Sequence, residues 1–342
     1  MESEDLSPDP ASRPTIAEVR ERVRVRTGID SLPAHLESRH GIEVAQITEL
    51  DLGVFRVDRH DGPAWVARIF PAARPLEEVE GDARILRGLE RRGFPAERCA
   101  AADPVSVHEG QGVLVTELVE GTRARGGGRT FAWLGGLLGG LHAASAATVA
   151  GLREGGAWHH LCLRGGPGDE IAAALALLDE YAARLDPPAA PLHRRLREAV
   201  AGADACQGLP EAILHPDFVP ANALVGADQH LVLVDWTGAG RGPRLWSLAF
   251  LLWAAGAWDL RFVDSVVSHY ARRVQLLPEE ISRLEAAVRA RPLVLDSWAV
   301  CLHRMPLEEA VHALPEKLDL AAAVAARAVQ DFESTPAAEM EG

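Results

Sequence analysis

The run HPDFVPANALVGADQHLVLVDW, from His215 to Trp236, sets Asp217, Asn222 and Asp235 around two apolar segments built like strands. Two carboxylates and an amide are hard oxygen donors of the kind Mg2+ takes, and a carboxylate beside a hydroxyl can orient it and accept its proton. Phosphoryl transfer needs both of these and little covalent help from the protein. The pattern therefore points to a metal-bound phosphate. Asp217 would act on the attacking hydroxyl, and Asn222 and Asp235 would hold ions that bridge nucleotide phosphates. Taken one at a time, Asp and Asn are also ordinary turn residues at strand starts. His215 reads as support packed beneath the loop rather than as an acid or base.

These side chains must be positioned by a hairpin: NALV and HLVLV are strand-like, with GADQ between them as the turn. Earlier in the chain, VFRV and AWVARIF flank DRHDGP, whose Asp61-Gly62 pair is a strong hairpin signal. DARILRGLERRGF places Asp82, Ile85, Leu86 and Leu89 on one helical face, closed by Gly93, and GVLVTELVEG reads as a strand ending at Gly121. Beyond it the period becomes helical. FAWLGGLLGGLHAAS puts Phe131, Leu134, Leu138 and Leu141 on one face, with glycine pairs that let a neighbour approach. EIAAALALLDEYAARL, PLHRRLREAVAGA, FVDSVVSHYARRV and EEISRLEAAVRA continue that pattern. A boundary between a small mixed part and a larger helical one falls near Glu117 to Gly121.

With 342 residues and 48% hydrophobic content, the chain can fill sizeable cores. A net charge of −14 disfavours nucleic acid and anionic membranes as partners and suits a cationic ligand, although surface carboxylates also serve solubility. Cys99, Cys162, Cys206 and Cys301 lack CxxC spacing and read as reduced thiols. The acidic, Pro-containing start is unlike a signal peptide, and LWSLAFLLWAAGAW is too short to span a bilayer, so a cytoplasmic protein is expected. Its Trp246, Trp253 and Trp258 are expected to be buried along a helix. HHLC at His159 to Cys162 has metal-capable residues but no second cluster to complete a zinc site.

H-x-D-x-x-x-x-N, a hairpin, and then D-W-x-x-A-G-x-G-P resembles the catalytic core of the aminoglycoside phosphotransferase and choline kinase family. The residues that carry the likeness are His215, Asp217, Asn222, Asp235, Trp236, Gly240, Gly242 and Pro243. The resemblance runs from about residue 45 to residue 255 and implies an α+β, protein-kinase-like fold of two lobes. Residues 15–117 would form the small nucleotide-binding sheet lobe with one helix, 118–121 the hinge, and 122–332 the helical catalytic and acceptor-binding lobe. Residues 1–14 and 333–342 would be tails. By the same resemblance, Arg68 stands where the family has its phosphate-pairing Lys and Asp82 where it has a helix-borne Glu, with Glu80 as another possible partner. Glu117, Leu118 and Val119 form the segment whose backbone meets adenine. The implied reaction is transfer of the γ-phosphoryl group of ATP, or GTP, with Mg2+, to a hydroxyl of a small molecule; the acidic helical part suits an amine-bearing one.

The chain departs from the family at Arg68 and Asp82, at Ser247, where an Asp usually braces the catalytic loop, and at Pro216, where Gly is usual. Gly53 stands alone where the family has a glycine-rich loop. The altered Arg68 and Asp82 pair motivates the alternative of a catalytically silent, kinase-like binding or regulatory module. No motif identifies the acceptor; Asp169, Glu170, Asp179 and Glu180 are acidic candidates, although at helical spacing such residues more often line a solvated face. The oligomeric state is not legible.

Overall fold

The computed structural model describes residues 15–19, 26–144, 146–226 and 230–334. The tail expected at 1–14 lies outside them, as do 335–342 and most of the GADQ turn.

VFRV and WVARI alternate buried and less buried residues with period two, and the strands between residues 44 and 117 form a sheet. After α1 (Leu32–His40) come β1 (Val44–Asp51), β2 (Val54–Arg59) and β3 (Trp65–Ile69), then α2 (Leu76–Arg91), β4 (Val105–His108) and β5 (Gln111–Glu117). The five strands are antiparallel in the order β1-β2-β3-β5-β4. The hairpin read from Asp61-Gly62 is present, with Val57 opposite Trp65. Alternation puts Phe55, Val57, Trp65, Ala67 and Ile69 on one face, where Leu32 and Leu36 of α1 cover them. On α2 the predicted stripe of Asp82, Ile85, Leu86 and Leu89 is buried, and Gly93, at φ 64°, follows the helix end. The next strand stops at Glu117, four residues before the expected end, so 118–121 leave the sheet as a connecting segment.

After β6 (Thr122–Arg123) the chain is mostly helical: α3 (Gly128–His142), α4 (Ala146–Ala150), α5 (Pro167–Ala182) and α6 (Ala190–Ala201). β7 (Glu211–Leu214), β8 (Ala223–Val225), β9 (Leu231–Leu233) and β10 (Gly240–Pro243) follow. The chain then closes with α7 (Arg244–Trp258), α8 (Phe262–Tyr270), α9 (Pro278–Val288), α10 (Ala290–Cys301) and α11 (Leu307–Ser334). The tail expected over 333–342 thus begins inside α11. β7 pairs with β10, and β6, β8 and β9 form a second small sheet. These short strands hold the polar run at a fixed place among the helices. Trp246 and most of α7 are buried as expected; Trp258 is not, being 64% exposed at the helix end and lying across Gly126.

The α3 glycines serve a close crossing with α8. A Cβ on Gly135 would sit 2.4 Å from the Val266 carbonyl oxygen, and one on Gly139 2.9 Å from that of Tyr270. Backbone cannot yield as a side-chain tip can, so Gly135→Ala is expected to cost about 1–3 kcal/mol. Denaturant unfolding would measure this, and a loss below half a kcal/mol would show that the crossing has slack. Among the described residues no helix is long and apolar enough to cross a membrane.

Candidate active site

The polar run from His215 folds as a loop between β7 and β8 because its polar groups satisfy one another. The His215 ring is buried, and that burial pushes its pKa down to about 4, so it stays neutral. Its Nδ1 accepts the Asp217 backbone N–H at 3.0 Å, which places the ring proton on Nε2, facing the Val234 carbonyl at 3.2 Å. The ring packs edge-on against Trp236 and Phe218. Ser247 donates its hydroxyl to the His215 carbonyl at 3.1 Å, a bond that a carboxylate at this position could not make. The guanidinium of Arg291 donates to the carbonyl of Pro216. Arg291 is itself paired with Glu170 at 3.0 Å, both fully buried.

Asp217 is half-buried and takes Asn222 Nδ2–H on both its carbonyl and its carboxylate, each at 2.9 Å. Burial raises the Asp217 carboxyl above its ordinary value, the Asp235 charge adds to the rise, and Arg291 and Asn222 oppose it. Asp235 follows β9 with φ 65°, in the left-handed region that Asp tolerates better than most residues. Its backbone N–H is held at 2.8 Å by the Glu97 carboxylate, which also reaches Trp236 N–H and receives the Thr116 hydroxyl. Burial would raise the Asp235 carboxyl, but Arg68, 3.0 Å away, outweighs it and holds the group well below the usual carboxylate range.

Three expected residues therefore meet: Asp217, Asn222 and Asp235, with Arg68 beside them. Asp82 sits elsewhere. Its buried carboxylate pairs with Arg74 at 2.9 Å and with Arg153, and it accepts the Gly238 N–H at 2.9 Å. It thus ties α2 to the loop that follows Asp235, and the Arg68–Asp82 pairing implied by the family likeness is not formed. The carboxylate that complements Arg68 besides Asp235 is Glu97, ahead of Asp82 in its influence. Glu117, Leu118 and Val119 line a cleft of about 440 Å3 with Glu97, Trp133 and Leu231. The N–H groups of Glu117 and Leu118 are spent on the carbonyls of Arg98 and Ala64.

Glu97, Arg153, Glu170 and Arg291 were not singled out as parts of the site from sequence; Glu170 was weighed only as an acceptor contact. The other acidic candidates there serve structure: Asp169 accepts the Gly166 N–H, Asp179 pairs with Arg197, and Glu180 accepts the Ile16 N–H.

The donor set suits a divalent cation. Asp235 Oδ1 is buried without an aligned hydrogen bond, and Asn222, with its N–H groups turned to Asp217, keeps its amide oxygen as an acceptor. Two hard oxygens of this kind, completed by phosphates and water, are what Mg2+ takes.

The sequence pattern of the phosphotransferase enzyme family matches residues 47–287. The chain belongs to that family. Similar solved structures extend the likeness over nearly all of this phosphotransferase family member. An aminoglycoside phosphotransferase from Alicyclobacillus acidocaldarius is 18% identical with a TM-score of 0.60, covering 88% of this chain and 96% of its own. The amicoumacin kinase hAmiN, solved with AMP-PNP, Ca2+ and Ami, is 14% identical with a TM-score of 0.61, covering 95% and 98%. The choline kinase LicA from Streptococcus pneumoniae is 14% identical with a TM-score of 0.56, covering 89% and 98%. At such identities the likeness establishes the fold. None of the curated proteins is similar enough to match.

Proposed function

We propose that this family member transfers the γ-phosphoryl group of ATP to a hydroxyl of a small molecule with the help of Mg2+. The observation that carries the reading is the Asn222 amide clasping the Asp217 carboxylate beside Asp235, whose buried Oδ1 meets the Arg68 guanidinium at 3.0 Å without an aligned hydrogen bond. Asp217 orients the acceptor hydroxyl and takes its proton; Asn222 and Asp235 hold the metal, which screens the phosphate charge; Arg68 supplies a cation to the donor phosphates. Residues 118–121 act as the hinge between a nucleotide-binding part, 15–117, and an acceptor-binding part, 122–332. With Glu117 and Leu118 N–H groups engaged, the hinge donor for adenine comes from Val119 onward, and we assign it to the Val119 N–H. Relatives of this fold include kinases of an antibiotic, of choline and of aminopropanol. Together with the acidic chain, this favours an amine-bearing acceptor. Four free cysteines suit a reducing compartment, and we place the reaction in the cytoplasm, with no nucleic-acid or membrane partner.

One observation favours a silent binding module instead. Arg68 pairs with Asp235 at 3.0 Å, so the phosphate cation and the metal ligand neutralise each other. Catalysis requires Arg68 to exchange Asp235 for phosphate as the metal enters. Calorimetry of ATP and GTP, with and without Mg2+, on the native chain and on Asp235→Ala separates the two readings. The expected result is Mg2+-dependent ATP binding weakened at least about tenfold by the substitution. Nucleotide binding indifferent to both Mg2+ and Asp235 would favour the silent module, and no binding at all would sink the donor assignment.

A further inference from the structure

Two imidazoles lie beside this site without a role in the scheme above. The segment from Arg153 to Gly165 docks on the loop that follows Asp235. Gly155 N–H donates to Arg241 carbonyl at 2.9 Å, Gly156 N–H to Gly238 carbonyl at 2.9 Å, and Arg241 N–H to Arg153 carbonyl at 2.7 Å. The contact is backbone on backbone: a Cβ on Gly155 would lie 2.5 Å from Gly240 Cα. Such docking leaves little freedom to the next residues: the His159 Cβ lies 4.0 Å from where a Cβ on Gly238, in the loop after Asp235, would stand. Their rings lie 4.0 Å apart, and Trp158 meets His160 edge-on at 4.9 Å.

The charged neighbours locate the pair. His159 responds to Asp235, Arg68 and Arg74; His160 responds to Asp235, Arg68, Asp51 and Arg26. Asp51 ends β1, and Arg26 reaches the same turn by donating to the Ile69 carbonyl at 2.6 Å. Both rings therefore lie within electrostatic reach of Asp235 and Arg68, and His160 also within reach of Asp51 at the end of β1. Both are half-buried, and neither ring is hydrogen-bonded to another described residue. The ring nitrogens of both reach solvent, where a ligand can meet them. In a kinase-like fold the space between this turn, the β3 cation and the metal carboxylate belongs to the donor phosphates. The turn itself carries Gly53 alone and cannot present the run of backbone N–H groups that a glycine-rich loop does.

We propose that His159 and His160 are phosphate-contacting residues, each donating a ring N–H to the terminal phosphates of the nucleoside triphosphate and supplying from the helical part the contacts that the β1–β2 turn lacks. The proposal rests on the phosphotransferase reading of the same cleft. A neutral imidazole has one N–H to give and one acceptor nitrogen, and a hydrogen bond to a charged phosphate oxygen is among the stronger kinds.

The test is calorimetric titration of Mg2+-ATP, ADP and adenosine into the full chain, into His159→Ala and His160→Ala, and into the double variant. Each single change is expected to weaken ATP about tenfold, and the pair about a hundredfold, while adenosine affinity stays the same. His159→Phe and His160→Phe keep the ring volume and remove the N–H, so they read the same difference if the alanine variants fold poorly. Unchanged ATP affinity in the double variant overturns the proposal, as does an equal weakening of ATP and adenosine, which would mark a packing role. A native chain that binds none of the three ligands would overturn the phosphotransferase reading and this proposal with it, an outcome distinct from the other two.

Discussion

An Asp217→Asn variant is expected to lose about a hundred- to ten-thousand-fold in kcat while Mg2+-ATP binding changes little. Asparagine keeps the shape of the side chain, and its amide oxygen can still accept the Asn222 N–H that now meets the carboxylate at 2.9 Å. What it removes is the ability to take a proton from the acceptor hydroxyl. The pH profile gives a second, independent reading. Burial lifts the Asp217 carboxyl above its ordinary value of 3.8, and only the deprotonated form can act as base. Activity of the native chain should therefore fall, as pH decreases, at a pH above that value, and the residual activity of the variant should lack this acid limb. A variant that keeps kcat within about threefold would remove Asp217 from the chemistry and leave it a turn residue.

The parts of this arrangement that were legible from sequence are those confined to short spans of chain. Asp217 and Asn222 lie on one loop, and Asp235 is brought to them by a single hairpin, so spacing alone brings the three together. Three strands of the sheet, β2, β3 and β5, and the buried faces of α2 and α3 were equally legible, because period two and period 3.6 are local properties; β1 and β4 were not read from the sequence. The supporting charges were not. Glu97 reaches the Asp235 N–H across 138 residues, Asp82 the Gly238 N–H across 156, and Arg291 the Pro216 carbonyl across 75. Each is an ordinary charge within its own element. Lys317 is the sole lysine, so arginine carries nearly every positive charge, and nothing in the sequence distinguishes Arg74, Arg153 and Arg291, which organise the interior, from those on the surface. The Arg68 and Asp82 departures that looked like one altered ion pair proved to be two separate ones. Asp82 went to Arg74 and Arg153, and Arg68 to Asp235 with Glu97 nearby. The family pattern fixes where these side chains start along the chain; packing decides which partner each one finds.

Glu170→Gln is expected to be among the most destabilising single changes, at about 3–5 kcal/mol, because it leaves Arg291 buried without its counter-ion. Arginine cannot shed its proton, so the penalty has no outlet. Arg291→Met should cost less at mildly acidic pH. Burial already pushes the Glu170 carboxyl up, and without Arg291 to oppose the shift it rises further and takes a proton. The sign of the pH dependence follows. A carboxyl whose folded-state value is raised binds its proton more tightly folded than unfolded, so Arg291→Met loses stability as pH rises from the unfolded value toward the folded one. Denaturant unfolding over a pH series that starts at the ordinary carboxyl value of 4.5 and rises into the alkaline range would measure both effects. The double change Glu170→Met with Arg291→Met should recover much of the loss, since well-packed apolar residues often replace a buried pair at little cost. It should not recover activity, because no side chain then holds the Pro216 carbonyl, and Glu170 no longer accepts the Trp158 N–H that precedes His159. A double variant as active as the native chain would reduce the pair to packing. A Glu170→Gln loss below about 1 kcal/mol would mean that water reaches Arg291.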